Sequence, residues 1–317
     1  MRKIKYLLLL FLVVVLSINT VACSKGNTAT QTGNEENTNK ADTEGDKFPL
    51  TITDFLGKEI TIEKEPKRIV SLAPSVTELI FAVGAGDRVV GVTEYDTYPE
   101  EVKDLPKVGG FKGPNIELIT AQEPDIVFAS TLSGKEEMET LEKMGIPVVV
   151  IEAKSIDNIY ESIEMLGKIT NKEEKAQTIV NEMKSKIQEI SNKVKDRPKI
   201  KVFHLIDING NWTAGSGTFI HELINLAGGQ NIAEDTEGWV QYSIEELVSK
   251  NPDAIVMSSY AGDVETIKNM EGYKETNAVK NNNIYVVSND DIISRATNRI
   301  VLGLEEIAKF LHPEVFN

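Results

Sequence analysis

NKEEKAQTIVNEMKSKIQEISNKVK, from Asn171 to Lys195, is the stretch that decides the fold. It holds no Gly or Pro, and Ala176, Ile179, Val180, Met183, Ile187 and Ile190 recur at helical spacing, which predicts one long helix with a narrow apolar stripe. On either side the pattern changes to strand-length runs rich in Val and Ile. Before the helix come Arg68-Ile-Val-Ser-Leu72, Val89-Val-Gly-Val92, Asp125-Ile-Val-Phe-Ala129 and Pro147-Val-Val-Val-Ile151. After it come Lys201-Val-Phe-His-Leu-Ile206, Asp253-Ala-Ile-Val-Met257 and Asn283-Ile-Tyr-Val-Val287. The segments between them are long enough for the crossover helices that parallel strands require. The expected fold is α/β, with two Rossmann-like lobes over 48–170 and 197–317 joined by a single long rigid α-helix over 171–196.

The two blocks echo each other. Thr77-Glu78-Leu79-Ile80 is answered by His221-Glu222-Leu223-Ile224, and Asn115-Ile116-Glu117 by Ser243-Ile244-Glu245. Glu117 and Glu245 each stand seven residues before a Pro-Asp pair, Pro124-Asp125 and Pro252-Asp253, so one design is used twice. At the start of the first block, Leu50, Ile52, Phe55, Ile60 and Ile62 around Gly57-Lys58 predict a small hairpin. Ser75-Val-Thr-Glu78 has capping-box spacing, which predicts a helix from there to Gly84–Gly86.

Towards the N-terminus, Arg2, Lys3 and Lys5 precede the apolar run Tyr6 to Leu16, and Val21-Ala22-Cys23 follows. A basic start, an apolar core shorter than the roughly 20 residues of a spanning helix, and small residues before a cleavage point predict an export signal over 1–22. Its end resembles a bacterial lipobox, with Thr20 where Leu is usual, so Cys23 is the expected lipidation site. Residues 23–47 then read as a polar tether, too poor in apolar content to bury a core. The expected location is the cell membrane, lipid-anchored, on its outer side.

Composition removes several functions. Cys23 is the only cysteine, which excludes an intrachain disulfide or a cysteine metal cluster. The chain has 34 Lys and Arg against 49 Asp and Glu, a net −15, and losing the three leader cations takes it to −18. That sign excludes a phosphate-backbone binder, so no nucleic-acid partner is expected. His204, His221 and His312 lack ligand spacing, and there is neither a G-x-S-x-G elbow nor a phosphate loop, so no metal, cofactor or catalytic residue is expected. Carboxylates are plentiful, which keeps an extracellular carboxylate-dependent hydrolase open as an alternative.

Two sets of residues stand out. Glu117 and Glu245 each follow a candidate N-cap by two residues. The helix dipole alone would favour an acid there, while the repeat suggests a two-point anchor for a basic partner. Aromatics are only 6% of the chain, yet Tyr95, Tyr98, Phe111, Trp212 and Trp239 fall in loops, where rings hold a flat or bulky ligand by stacking.

Together, Arg68-Ile-Val-Ser-Leu-Ala-Pro-Ser-Val-Thr-Glu-Leu79, Tyr98-Pro99, Val108-Gly109, Pro114-Asn-Ile-Glu117, Pro124-Asp-Ile-Val127, Trp212-Thr-Ala-Gly215 and Ser243-Ile-Glu245 carry a resemblance. From about Leu50 to Phe316 the chain resembles the helical-backbone substrate-binding proteins that serve ABC importers of iron–siderophores, haem and vitamin B12, and it is most similar to the cobalamin binders. The resemblance implies no enzyme activity, a monomer, and a corrinoid or other large metal chelate as ligand, with a ferric siderophore or haem as the alternative. It implies corrin-contacting rings at Tyr95, Phe111, Trp212 and Trp239 and a polar cluster at Asp291 and Arg295. It also implies docking of Glu117 and Glu245 on a permease dimer with its ATPase. Phe111 stands where those proteins carry Trp, and Ser294 where they carry an acid. Arg295 and Arg299 are the cations available to a siderophore, and Arg299 also reads as a cap for the helix that follows it.

Overall fold

The structure, a computed structural model, describes residues 47–110 and 113–316. The signal over 1–22, Cys23, the tether as far as residue 46, and Phe111 lie outside the described residues. The chain opens with an antiparallel hairpin, β1 (Leu50–Thr53) and β2 (Glu59–Ile62), turned through Gly57 at φ 78°. There follow β3 (Ile69–Ser71), α1 (Pro74–Ala82), β4 (Val89–Thr93), β5 (Lys107–Gly110), β6 (Gly113–Pro114) and α2 (Ile116–Ala121). The N-terminal lobe closes with β7 (Ile126–Ala129), α3 (Lys135–Lys143), β8 (Val148–Val150) and α4 (Ile156–Ile169). Its sheet has the order β6-β5-β4-β3-β7-β8 and is parallel except for the β5–β6 pair.

Helix α5 (Glu173–Val194) then leads to the C-terminal lobe. That lobe contains β9 (Ile200–Leu205), β10 (Trp212–Ala214), α6 (Phe219–Leu226), β11 (Gly229–Asn231), β12 (Trp239–Gln241) and α7 (Ile244–Lys250). It ends with β13 (Ala254–Met257), α8 (Val264–Asn269), α9 (Asn277–Lys280), β14 (Ile284–Val286), α10 (Asp291–Ser294) and α11 (Ile300–Leu311). Its parallel sheet runs β11-β9-β13-β14, and β10 pairs with β12 as a separate ribbon. The fold is the expected α/β pair of lobes on a long helix.

The apolar stripe of α5 is the keel of the molecule. Ala176, Ile179, Val180, Met183, Ile187, Ile190 and Val194 are all buried, packed between α4 on one side and α6 and α11 on the other. One apolar cluster runs from the hairpin through α1, α4 and α5 into α6 and α11, so it belongs to both lobes. Burying each large aliphatic side chain is worth about 1.5–3 kcal/mol, so separating the lobes would require opening packed core. Each sheet has a second cluster on its other face, around Val127 and Leu141 in one lobe and Phe203 and Tyr273 in the other. Strands covered on both faces explain the unbroken Val and Ile runs in the sequence.

Two expectations are corrected. The capping box is not formed: α1 begins at Pro74, whose fixed φ and missing N–H suit a first helical position, and its N-cap Ala73 offers no side chain. Glu78 points elsewhere. Arg299 does stand at the N-cap position of α11, but its side chain makes no capping bond.

Candidate functional site: the interlobe cleft

The parallel strands deliver their C-terminal ends, and the loops that follow them, to the gap between the lobes. Ligands collect at that edge of open α/β sheets. A cavity of about 780 Å³ lies there, walled by the loops after β3, β4, β7 and β8 on one side and by the segments around α6, β12 and α10 on the other. That volume falls in the range of small-molecule sites, about 300–1,000 Å³.

Tyr95 comes from the loop after β4. Asp96 accepts the Thr93 N–H at 2.9 Å, and this local turn leaves the Tyr95 ring half exposed at the cavity wall. Trp239 comes from the opposite lobe, fixed by its pairing with Ala214 and by the edge of the Phe219 ring at 6.4 Å and 70°. Arg295 lines the cavity just after α10. The fold thus brings Tyr95, Trp239 and Arg295 to one cavity. Gly110 and Gly113, the described residues flanking Phe111, line it as well.

Trp212 and Asp291 do not line it. Trp212 shares the β10–β12 ribbon with Trp239, but its indole lies across Gly210, so close that a Cβ there would not fit. Asp291 stands behind Arg295, its Oδ1 3.1 Å from Nε.

Arg295 belongs to an interlobe knot that sequence reasoning missed. Its Nη1 donates to Glu78 Oε1 at 2.8 Å, and its Nη2 donates to Thr97 Oγ1 at 3.0 Å and to the Tyr95 carbonyl at 3.2 Å. Arg299 Nε lies 3.5 Å from Glu78 Oε2, and its guanidinium stacks 4.0 Å from the centre of the Tyr98 ring. Glu78 is 2% exposed; burial pushes its carboxyl up, against the pull of Arg295 and Arg299. On the opposite flank, Glu222 Oε2 accepts the Ile156 N–H at the start of α4, at 2.7 Å. The match between Thr77-Glu78-Leu79-Ile80 and His221-Glu222-Leu223-Ile224 was the signal for both.

Glu117 and Glu245 are exposed in the first turns of α2 and α7. Asn115 accepts the Leu118 N–H at 3.0 Å and Ser243 accepts the Glu246 N–H at 3.1 Å, so both expected N-caps are made. Backbone and Ser243 hydrogen bonds hold the Glu245 carboxyl below its usual range. Among the described residues no group of three or more His, Cys, Asp or Glu could hold a metal ion. No helix among them is long and apolar enough to cross a membrane.

Two lobes fixed on one helix, with rings facing each other across a cavity, define a bilobed solute-binding protein. Residues 69–290 match the family described as periplasmic binding protein, and the chain belongs to that family. It is the extracytoplasmic, non-catalytic substrate-binding component of an ABC importer, of the helical-backbone class. The hydrolase alternative is thereby set aside, and the rings lining the cleft also speak against it. An ABC transporter substrate-binding lipoprotein of Bacillus subtilis, YvrC, whose role is uncharacterised, is 38% identical over 89% of this chain and 91% of its own. The vitamin B12-binding protein of Salmonella choleraesuis is 33% identical over 77% of this chain and 90% of its own. A solved structure from Staphylococcus epidermidis, described as a "possible" iron-binding (periplasmic solute-binding) protein, is 32% identical. It superimposes with a TM-score of 0.70 over 78% of this chain and all of its own.

Proposed function

We infer that this importer component captures a corrinoid between its lobes and delivers it to a permease dimer, tethered to the membrane by a lipid on Cys23. In this reading 1–22 is the signal, 23–47 the acylated tether, and 171–196 the strut between lobes over 48–170 and 197–317. Tyr95, Phe111 and Trp239 grip the ring system, Arg295 serves the amide-rich rim with Asp291 behind it, and Glu117 and Glu245 meet basic sockets on the permease.

The observation that carries the ligand choice is the charge of the cleft. Among the described residues its cationic linings are Lys154, which is exposed, and Arg295, which Glu78 and Asp291 already neutralise; Glu152 and Glu237 line it too. Anionic ferric chelates need free cations, whereas a large, nearly neutral, amide-rimmed ring system needs apolar area and scattered hydrogen bonds. The B12-binding relative supports the same choice. The relative described as a "possible" iron-binding protein favours a ferric chelate as the second reading. A cleft held by packed core opens little, so affinity comes from preorganisation.

Calorimetry of the full-length protein in detergent, titrated with cyanocobalamin, haemin and a ferric catecholate, tests the ligand. Cyanocobalamin should bind tightest, and Trp239→Ala should weaken it by roughly 10–100-fold, as for an aromatic hot spot. Tight binding of an iron complex alone would replace the corrinoid.

A further inference from the structure

Two loops at the rim of the lobes are copies of each other in sequence and in hydrogen bonding. Pro124-Asp-Ile-Val-Phe-Ala-Ser-Thr-Leu-Ser-Gly134 and Pro252-Asp-Ala-Ile-Val-Met-Ser-Ser-Tyr-Ala-Gly262 align without a gap. In the first, the Leu132 N–H donates to Ser130 Oγ at 3.2 Å and the Ser133 N–H to the Ser130 carbonyl at 3.1 Å. In the second, the Tyr260 N–H donates to Ser258 Oγ at 3.2 Å and the Ala261 N–H to the Ser258 carbonyl at 3.1 Å. Each loop is also tied to a carboxylate beyond the neighbouring strand. The Thr131 N–H donates to Glu152 Oε2 at 3.0 Å, after β8, and the Ser259 N–H to Asp290 Oδ1 at 3.1 Å, after β14. Gly134 and Gly262, both at positive φ, end the two turns.

The product of this duplicated scaffold is an apolar side chain held in water. Leu132 is 91% exposed and Tyr260 85%, the highest values among the large apolar residues described. A single exposed Leu or Tyr is ordinary. Two at equivalent positions, each on a loop whose backbone is braced by the same hydrogen bonds, gain nothing for stability from their exposure. Ligand contact does not account for the pair either, because Leu132 borders the cavity and Tyr260 does not.

The first loop abuts the segment that starts α2, and the second connects to the start of α7 through residues 208–211. Gly134 packs beside Pro114, where a Cβ would lie 3.6 Å from Cδ, and α2 with Glu117 begins two residues later. In the other lobe the Ile208 N–H donates to the Ala261 carbonyl at 3.0 Å, and the Tyr242 N–H donates to Asn211 at 2.9 Å just before the Ser243 cap of α7.

We propose that Leu132 and Tyr260 are paired apolar docking points, one per lobe, that seat in apolar recesses beside the basic sockets of a permease built from two like subunits. This rests on the docking role given to Glu117 and Glu245 and adds the part of the contact that excludes water around those charges. Apolar anchors next to rim charges divide the work: the charges set approach and orientation, the anchors set residence time.

Photo-crosslinking separates the two claims. Full-length lipoprotein carrying benzoylphenylalanine at position 132, 260, 117, 245 or 56 is expressed in its own cells, irradiated, and its adducts identified by mass spectrometry. Leu56, an exposed residue of the β1–β2 turn, is the control. Positions 132 and 260 should capture the same polytopic permease subunit and position 56 should not. Tyr260→Ser, at a residue outside the cavity, should lower capture from position 245 by about tenfold while leaving calorimetric affinity for cyanocobalamin or haemin unchanged, and Leu132→Ser should lower capture from position 117 to a similar degree. If 117 and 245 capture the permease but 132 and 260 do not, or if Tyr260→Ser loses small-molecule affinity and keeps capture from position 245, the apolar docking points fall and the acidic anchors stand. If none of the four captures it, the docking reading falls as well.

Discussion

Glu78 and Glu222 hold the same place in the two copies of a Glu-Leu-Ile motif, yet they close the molecule by different chemistry. Glu78 is a buried carboxylate gripped by two guanidinium groups from the far lobe, and Glu222 is a partly buried one that accepts a single backbone N–H at a helix start. The strands that lead to them diverge in the same way. Asp125 N–H bonds the Arg68 carbonyl as Asp253 N–H bonds the Lys201 carbonyl, each at 2.8 Å, which sets Ser71 opposite His204 in the two copies. Ser71 accepts from Thr77 Oγ1 at 2.8 Å, while neither ring nitrogen of the buried His204 has a partner among the described residues. Duplicated positions keep their backbone role and lose their side-chain role, because the backbone answers to its own sheet and the side chain to whatever the other lobe presents.

The largest effect expected from breaking this comparison is at Glu78. Glu78→Ala leaves Arg299 largely buried without its counter-charge and Arg295 with Asp291 alone, and should cost about 3–5 kcal/mol in urea unfolding. Adding Arg295→Met and Arg299→Met should return much of that loss. A Glu78→Ala protein of unchanged stability would make the knot incidental.

His204 comes next. Burial pulls its pKa from 6.5 to about 4, with Asp290 opposing. A depressed folded pKa means the native state favours the neutral ring. The stabilisation is therefore complete above pH 6.5 and is lost as pH falls towards 4, by about 3 kcal/mol over that window. Stability measured at pH 7 and pH 4.5 should differ accordingly, and His204→Gln should flatten the difference. An unflattened profile would assign it to other groups.

The smallest effect is at Glu222. Glu222→Ala removes one charge-assisted hydrogen bond at the start of α4 and should cost about 1–2 kcal/mol, clearly less than Glu78→Ala. Equal losses at the two glutamates would erase the asymmetry.

Much of the frame was legible in the sequence because it rests on local spacing. The stripe from Ala176 to Ile190 became the buried face of α5, and the Val and Ile runs became the central strands. Strands β5, β6, β11 and the β10–β12 ribbon were not foreseen. Segments such as Lys107-Val-Gly-Gly110 have little strand propensity of their own and are extended because a neighbour offers them a hydrogen-bonding edge. At the cleft, Tyr95, Trp239 and Arg295 were named from the sequence and share one cavity. Trp212, equally well named, turns over Gly210 instead.

Alone, the sequence determined the order of the central strands, the repeat, the stiff helix and the two exposed acids, since each follows from the period of apolar residues or from a cap within a few positions. Only the tertiary structure decided that Glu78 belongs to arginines more than 200 residues away, that those contacts pair the Arg295 charge at the cleft, and that Leu132 and Tyr260 stand out as a pair. The reason is physical: what a side chain does depends on the surface that packing brings to it, and that surface comes from the other lobe.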